Sequence, residues 1–365
     1  MTRPPAQVVI CGAGVIGAAV AYYLSLRGIR STIIERSGVA CAASGKAGGF
    51  LALDWCDGSP LAALARTSFQ LHADLSQRLN ADYGYRRLTT LGVAVHEARK
   101  LAAHRTADEC AWLDGPGVPY AVLGSPSTTA QVHPEQFTRA LLQAALARGA
   151  QLHMGCVEGV ELTDASIRGV RVDGHTMPAD AVVIAMGPWS GMAANWLPLP
   201  PVAGLKGHSI TLRPRTPVPA QALFVDYVTA TGERFEPEVY PRPDGEVYLC
   251  GLSEEGPLPE RPELVQPRPE AGPLLHQMAG ILSSSLADVP LQRVQACYRP
   301  VYADGLPLLG QVPGVSGAYI ATGHSCWGIL NAPASGLAMA ELIVDGQAHS
   351  VDLRPFEPRR ALVAR

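Results

Sequence analysis

The sequence predicts a mixed α/β (α+β) fold: a parallel-sheet domain built on the N-terminus and interrupted by an inserted, mainly antiparallel sheet. Three observations predict it. The chain opens as strand, glycine turn, helix and second strand in VVICGAGVIGAAVAYYLSLRGIRSTIIER. Buried-strand runs that end in glycine return at Ala179–Gly191 and Gly317–Gly323. From Leu205 to about Asp288 the texture changes to alternating strands, with Asp244-Gly245 as a strong turn.

The opening unit carries the first chemical signal. Val8, Val9 and Ile10 read as a buried strand, and Gly12, Gly14 and Gly17 follow as G-x-G-x-x-G. Val15 and Ile16 lie inside the motif as candidate cofactor contacts, and a helix-compatible stretch follows from Ala18 to Leu26, with Gly28 as its stop. Thr32 to Ile34 make the second strand, which ends at Glu35 and Arg36. Gly12 permits the tight turn, Gly14 lets backbone approach a pyrophosphate, and Gly17 lets the helix lie on the strand. The helix start offers free N–H groups and a positive dipole end to phosphates. Glu35 stands where a carboxylate accepts from a ribose hydroxyl. In that context the motif reads as Rossmann-like dinucleotide binding; the alternative is a plain glycine-rich turn without a nucleotide.

The remaining elements follow in order. Ala40–Leu53 is a small-residue loop, Leu61–Asn80 a helix, Gly92–His96 a strand and Leu101–Leu113 a helix. A helix begins at Pro134, shows Phe137, Leu141, Leu142 and Ala145 on one stripe, and stops at Gly149. Gln151–Val160 is a strand region, and Arg168–Thr176 a hairpin turning at Asp173-Gly174. A Pro/Glu-rich insert, Glu254–Pro273, reads as a surface loop, and Ile329–Val344 as a final helix. The first domain is expected over 1–85, 134–204 and 296–365, and the inserted domain over 86–133 and 205–295.

Composition bounds the class. A chain of 365 residues is long enough for two cores, and 47% hydrophobic with 17% charged residues fits a compact fold. A net charge of -3 gives no reason to expect a nucleic-acid partner. The 8 cysteines include no C-x-x-C, which argues against zinc and against a disulfide framework. Cys11 and Cys250 read as small core residues. Without a signal-like start or an apolar run long enough to span a bilayer, a cytoplasmic protein is expected.

Six blocks in order carry a resemblance: the glycine motif, ASGKAGG at Ala43, HPEQF at His133, VVIAMGPWSG at Val182, YRPVYADGLPLLG at Tyr298 and ATGHSCWGILNAPASG at Ala321. Together they resemble the D-amino-acid oxidase, glycine oxidase and sarcosine oxidase family of FAD-dependent oxidoreductases over essentially the whole chain. SGKAGGFLALDW and PEVYPRPDGEVY resemble a poorly characterised oxidoreductase branch of it. The resemblance implies FAD rather than NAD. The small residues after Glu35 lean the same way, because they let backbone approach a flat cofactor. Ser44, Gly45 and Gly48 would line it, and Lys46 would bring a positive charge near the ring or remain a solvated loop lysine. The resemblance places Val157 beside the adenine, Gly187 and Trp189 beside the cofactor, and Gly323 and His324 against the ring. Gly328 and Ile329 start a helix whose N–H groups would face the developing charge of the reduced ring.

The same resemblance implies oxidation of a substrate C–N bond by hydride transfer to flavin N5, imine hydrolysis and peroxide formation from oxygen. Arg299 stands where amino-acid-oxidising relatives bind carboxylate, and its planar fork suits that group; the alternative is a brace at the domain junction. Glu238 and Tyr240 alternate on one strand and share a face. Glu238 takes the place of a carboxylate-holding tyrosine, which leaves room for a cationic or larger amine. Tyr240 and His208 are candidate catalytic residues, His208 as acid or base. Lys206 is a candidate oxygen-activating cation or a loop lysine. Cys297 matches a flavin-bonding cysteine of sarcosine oxidase-like relatives; glycine oxidase-like members hold FAD without such a bond. Partners are a small amine or amino acid and oxygen or another acceptor. A dehydrogenase serving a quinone or carrier protein, a non-catalytic flavoprotein and an NAD-dependent dehydrogenase are the other readings.

Overall fold

The computed structural model describes residues 4–102 and 110–361. Val8 and Ile10 point to one side of the first strand, and Val9 and Cys11 to the other; all four are fully buried. A strand apolar on both faces belongs in the middle of a covered parallel sheet. There Gln7–Cys11 pairs in parallel with Arg30–Glu35 on one side and Ala181–Ile184 on the other. Gln151–Met154 and Ala318–Thr322 extend the sheet in parallel, and Leu308–Gln311 closes one edge antiparallel. Helices Val15–Leu26, Pro134–Leu146 and Gly328–Asp345 cover the Val8/Ile10 face. The three-stranded sheet holding the Asp173-Gly174 hairpin covers the Val9/Cys11 face through Ile167, Val170 and Val172.

The inserted sheet runs in the order Leu291–Val301, Ala203–Leu212, Val247–Glu255, Glu238–Pro241, Gln221–Val228, Thr89–His96 and Val118–Gly124, with Arg234–Phe235 paired to Gln221–Val228. All its pairs are antiparallel except Gln221–Val228 with Thr89–His96. Its Ile210/Val239/Leu249 side packs on helix Ala271–Leu282 through Leu275, Met278, Ala279 and Leu282. Gly272 and Pro273 at the start of that helix make it look like loop in the sequence, although its apolar spacing is helical.

The segment Ala40–Leu53 is not a simple loop: it forms a short helix, Ala43–Lys46, and a strand, Phe50–Ala52, which pairs with Thr129–Gln131. The helix expected at Leu101–Leu113 lies largely outside the described residues, and its described ends carry no helix. Domain limits at 204/205 and 295/296 fall inside the strands Ala203–Leu212 and Leu291–Val301, because the sheet reaches past its own domain to the cavity. The Glu254–Pro273 insert is pinned at several points: Tyr298 Oη donates to Pro257 O, Trp189 Nε1 to Pro259 O and Arg36 Nη2 to Glu260 O, at 2.8, 2.8 and 2.6 Å. Among the described residues one helix, Ser325–Asp345, is long and apolar enough to cross a membrane by length and composition alone, and its apolar window is 72% buried within the protein, as in a core helix.

The C-terminal helix contains Pro333, which removes the N–H that would bond Ile329 O. His72 repairs the break: its Nε2 lies 3.0 Å from Ile329 O and 3.1 Å from Leu330 O. Ser68 Oγ, one turn earlier, accepts from Ala334 N–H at 3.0 Å. Lower on the same helix, Gly336 rests on the first helix; a Cβ there would stand 2.6 Å from Ala19 Cβ.

Gly336→Val should therefore lower stability by about 1–3 kcal/mol through overpacking, read as a shift of the urea midpoint. Burial pushes His72 down to about 4 and His324 down to about 3. Below about pH 6.5 the unfolded chain binds protons that these folded rings refuse, so stability should fall from pH 6.5 to about 4. Each histidine contributes a slope of about 1.4 kcal/mol per pH unit. Urea unfolding at pH 7 and 5 should show a shallower loss for His72→Gln than for the unaltered protein; equal losses would contradict the account.

Candidate active site

A cavity of about 830 Å³ lies between the carboxyl ends of the parallel strands and the bare face of the inserted sheet. At its first end stand Gly12, Gly14, Val15, Ile16, Glu35, Arg36 and Val157. Gly12 has φ +109°, and a Cβ there would lie 2.6 Å from Ala185 O. At Gly17 a Cβ would lie 2.0 Å from Gly12 O, so this glycine permits close packing and does not itself line the cavity. Gly14 faces inward. Glu35 is held by three backbone donors: Ala13 N–H to Oε2 at 2.8 Å, and Ser37 and Gly38 N–H to Oε1 at 2.9 and 3.3 Å. The carboxylate is thus fixed at the strand end, where a ribose would meet it.

Along the middle, Ser44, Lys46, Gly48, Gly187 and Trp189 line the wall. Ser44 Oγ accepts from Val15 N–H at 2.9 Å, tying the short helix to the first helix start. Lys46 Nζ donates to Ala296 O at 3.1 Å, which stretches this lysine along the cavity toward the inserted sheet. Gly45 packs against Ala40 O, where a Cβ would come within 2.2 Å, and stays off the cavity. Gly187 has φ +55° and open space where a side chain would be.

The far end combines His324, Gly328 and Ile329 with the sheet residues Glu238, Cys250, Cys297 and Arg299. Gly323 is behind the surface, turning the chain at φ +81°. His324 Nε2 lies 3.0 Å from Ser335 Oγ, while its buried Nδ1 has no protein partner. Gly328 and Ile329 begin an 18-residue helix, so a second helix start meets the cavity. Arg299 Nη2 donates to Ser253 Oγ at 2.6 Å, and its Nε is buried without a partner.

Three expected site residues sit differently. Tyr240 does not line the cavity: its ring backs Gly48, where a Cβ would strike it at 2.4 Å, and its hydroxyl donates to Glu238 Oε2 at 2.5 Å. His208 touches the cavity, but Nδ1 is 2.9 Å from Leu252 O and Nε2 accepts from Arg268 N–H at 3.2 Å. Both nitrogens serve the backbone, and burial pushes its pKa below 6.5, so it is a brace rather than a free acid or base. Lys206 is ion-paired with Glu254 at 2.9 Å and is absent from the cavity wall. Its strand partner is Tyr298, which alternates with Cys297 and Arg299 and so faces the other way. Cys250 is a wall residue, not a core filler, and Tyr248, which alternates with it on one strand, lines the wall as well. Pro262 and Arg268 bring the insert to the wall as well.

The cavity thus has two helix starts, a strand-end carboxylate and a small-residue wall. These fit an elongated dinucleotide whose phosphates meet the first helix and whose ring meets the second. The comparisons agree. The DAO family, described as FAD dependent oxidoreductase, matches residues 7–342. A Schizosaccharomyces pombe protein, provisionally designated an oxidoreductase, is 31% identical, with 98% of each chain covered. A glycine oxidase of Pseudomonas aeruginosa is 29% identical over 96% of this chain and 98% of its own. The crystal structure of glycine oxidase from Geobacillus kaustophilus shares the fold with a TM-score of 0.83 at 24% identity, covering 98% of this chain and 99% of that one. With the match spanning nearly the whole chain, the protein belongs to the DAO family of FAD-dependent oxidoreductases.

Proposed function

We propose that the chain oxidises the C–N bond of a small amine or amino acid, with oxygen as the final electron acceptor and hydrogen peroxide as co-product. FAD, when bound, supplies the two-electron acceptor for this chemistry. The observation that carries the reading is Arg299: a guanidinium on the cavity wall whose only hydrogen-bond partner among the described residues is the neutral Ser253 hydroxyl. Such a group binds a carboxylate through its planar fork and fixes the substrate carbon against the ring-facing helix start. Lys46, not Lys206, supplies the lysine charge of the cavity. His324 remains neutral at physiological pH, because burial holds it near 3, and packs beside the second helix start.

The test is bleaching of the flavin without oxygen by a panel of amines and amino acids, followed by a peroxide assay in air. Arg299→Ala should raise KM for a carboxylated substrate by about tenfold to a hundredfold, as loss of a charge-assisted fork implies, with flavin content unchanged. An unchanged KM removes Arg299 from the role. Burial raises the Cys297 thiol pKa, which keeps it a protonated, poor nucleophile despite Lys46 and Arg299 nearby. We therefore propose non-covalent FAD: acid precipitation should leave the yellow colour in the supernatant, and colour retained in the pellet would reverse this.

A further inference from the structure

Glu238 is a second charged group on the same cavity wall as Arg299, and it has no cationic partner among the described residues. Its Oε2 accepts from Tyr240 Oη at 2.5 Å and from Cys250 Sγ at 3.5 Å. Burial raises the pKa of both donors, so each keeps its proton to give. Both donors are spent on one oxygen, which leaves Oε1 without a protein partner. Neither donor comes from a mobile segment: they stand on the paired strands Glu238–Pro241 and Val247–Glu255, where Glu238 lies directly opposite Cys250. The carboxylate is held as an acceptor aimed at the cavity rather than left as a surface acid.

Its position relative to Arg299 follows from register. Glu238 pairs with Cys250, Cys250 with Ser209 and Ser209 with Gln295. Arg299 is on the same strand as Gln295, four residues further along. The two backbones are therefore three strand spacings apart, about 14 Å, and displaced about 13 Å along the strands. The side chains close part of that gap, with Arg299 reaching back to Ser253 on the strand beside Glu238; a cation several bonds from the carboxylate spans what remains more readily than an α-ammonium. We propose that Glu238 binds a second, distal cation of the substrate: the enzyme selects amino acids that carry a basic group several bonds from the carboxylate held by Arg299. This rests on the amino-acid oxidase reading for its chemistry, but the selection is a matter of binding. Tyr240 acts as a positioning residue for Glu238.

Binding to the FAD-loaded enzyme can be read in the absence of oxygen, from perturbation of the oxidised flavin's absorption by acids without an α-amino group, before any bleaching. At pH 7.5, 6-aminohexanoate should bind at least tenfold more tightly than hexanoate. The advantage should shrink for 3-aminopropanoate over propanoate, whose charges are too close. Glu238→Gln should abolish the advantage of 6-aminohexanoate while leaving hexanoate binding unchanged or tighter. Tyr240→Phe should reduce it partly, and Glu238→Asp should restore part of what Gln loses. Equal binding of 6-aminohexanoate and hexanoate by the unaltered enzyme, or an advantage that survives Glu238→Gln, overturns the proposal. If the selective binding is found but no basic amino acid bleaches the flavin, the oxidase reading fails and the second charge site stands. If neutral norleucine bleaches it as efficiently as lysine and the binding advantage is absent, the oxidase reading stands and the second charge site falls.

Discussion

Backbone brought against backbone without intervening side chains is the constraint on which the rest of this structure depends. At Gly17 the first helix lies so near the first strand that a Cβ would come within 2.0 Å of Gly12 O. At Gly336 the last helix lies so near the first that a Cβ would come within 2.6 Å of Ala19. These two contacts set where both helices begin. The first start, at Gly14 and Val15, and the second, at Gly328 and Ile329, therefore open on one cavity, although more than 300 residues separate them in sequence. Two positive dipole ends facing one elongated space suit a ligand with negative charge at two places. The helix pair also explains the need for repair at Pro333. A break in the last helix lies close to its functional start, and His72 and Ser68 satisfy the freed backbone groups from a neighbouring helix.

Much of the nucleotide end was legible in the sequence because its requirements are local. A turn needing a positive φ, a strand ending in an acid and a helix needing a glycine contact all leave signatures within thirty residues. The parallel strands at Ala181–Ile184 and Ala318–Thr322 were legible for a related reason: burial on both faces makes a continuous apolar run. The family motifs then added what spacing alone does not supply, the choice of FAD. The reacting end was less legible because its arrangement is set by sheet register across long gaps. Nothing local in KGHS shows that His208 spends both ring nitrogens on Leu252 and Arg268. Nothing local in LKGH shows that a bulge between Lys206 and His208 accompanies a lysine turned toward Glu254. Tyr240 was assigned the correct face but the wrong depth, since Gly48 and the Phe50 ring cover it.

The strand Leu291–Val301 shows why the two domains work as one site. It is an edge strand of the inserted sheet, yet it runs far enough to place Cys297 and Arg299 against the nucleotide domain. Lys46 returns the contact by donating to Ala296 O, and Tyr248 Oη donates to Lys46 O at 2.9 Å. Both bonds join the short segment after Glu35 to the sheet. A dinucleotide laid along that segment would thus be in register with the substrate wall without a separate hinge. The insert adds a third tie through Pro259 and Glu260, which reach Trp189 and Arg36 on the nucleotide side.

Charge placement distinguishes structural from functional groups in this fold. Arg242 and Glu246 form a nearly buried ion pair, and Arg242 also contacts His133 and the carbonyl of Ala47. That is how a fold normally keeps buried charge: the cost of removing it from water is offset by a matched partner. Arg299 and Glu238 break the pattern. Each carries charge on a partly buried wall, each has neutral hydrogen-bond partners only, and no ion pair among the described residues joins them. A fold selected only for stability would pair them or replace them with apolar side chains. Retaining both, apart and unpaired, costs folding free energy that an occupant of complementary charge can return, and the cavity between them is the place for that occupant.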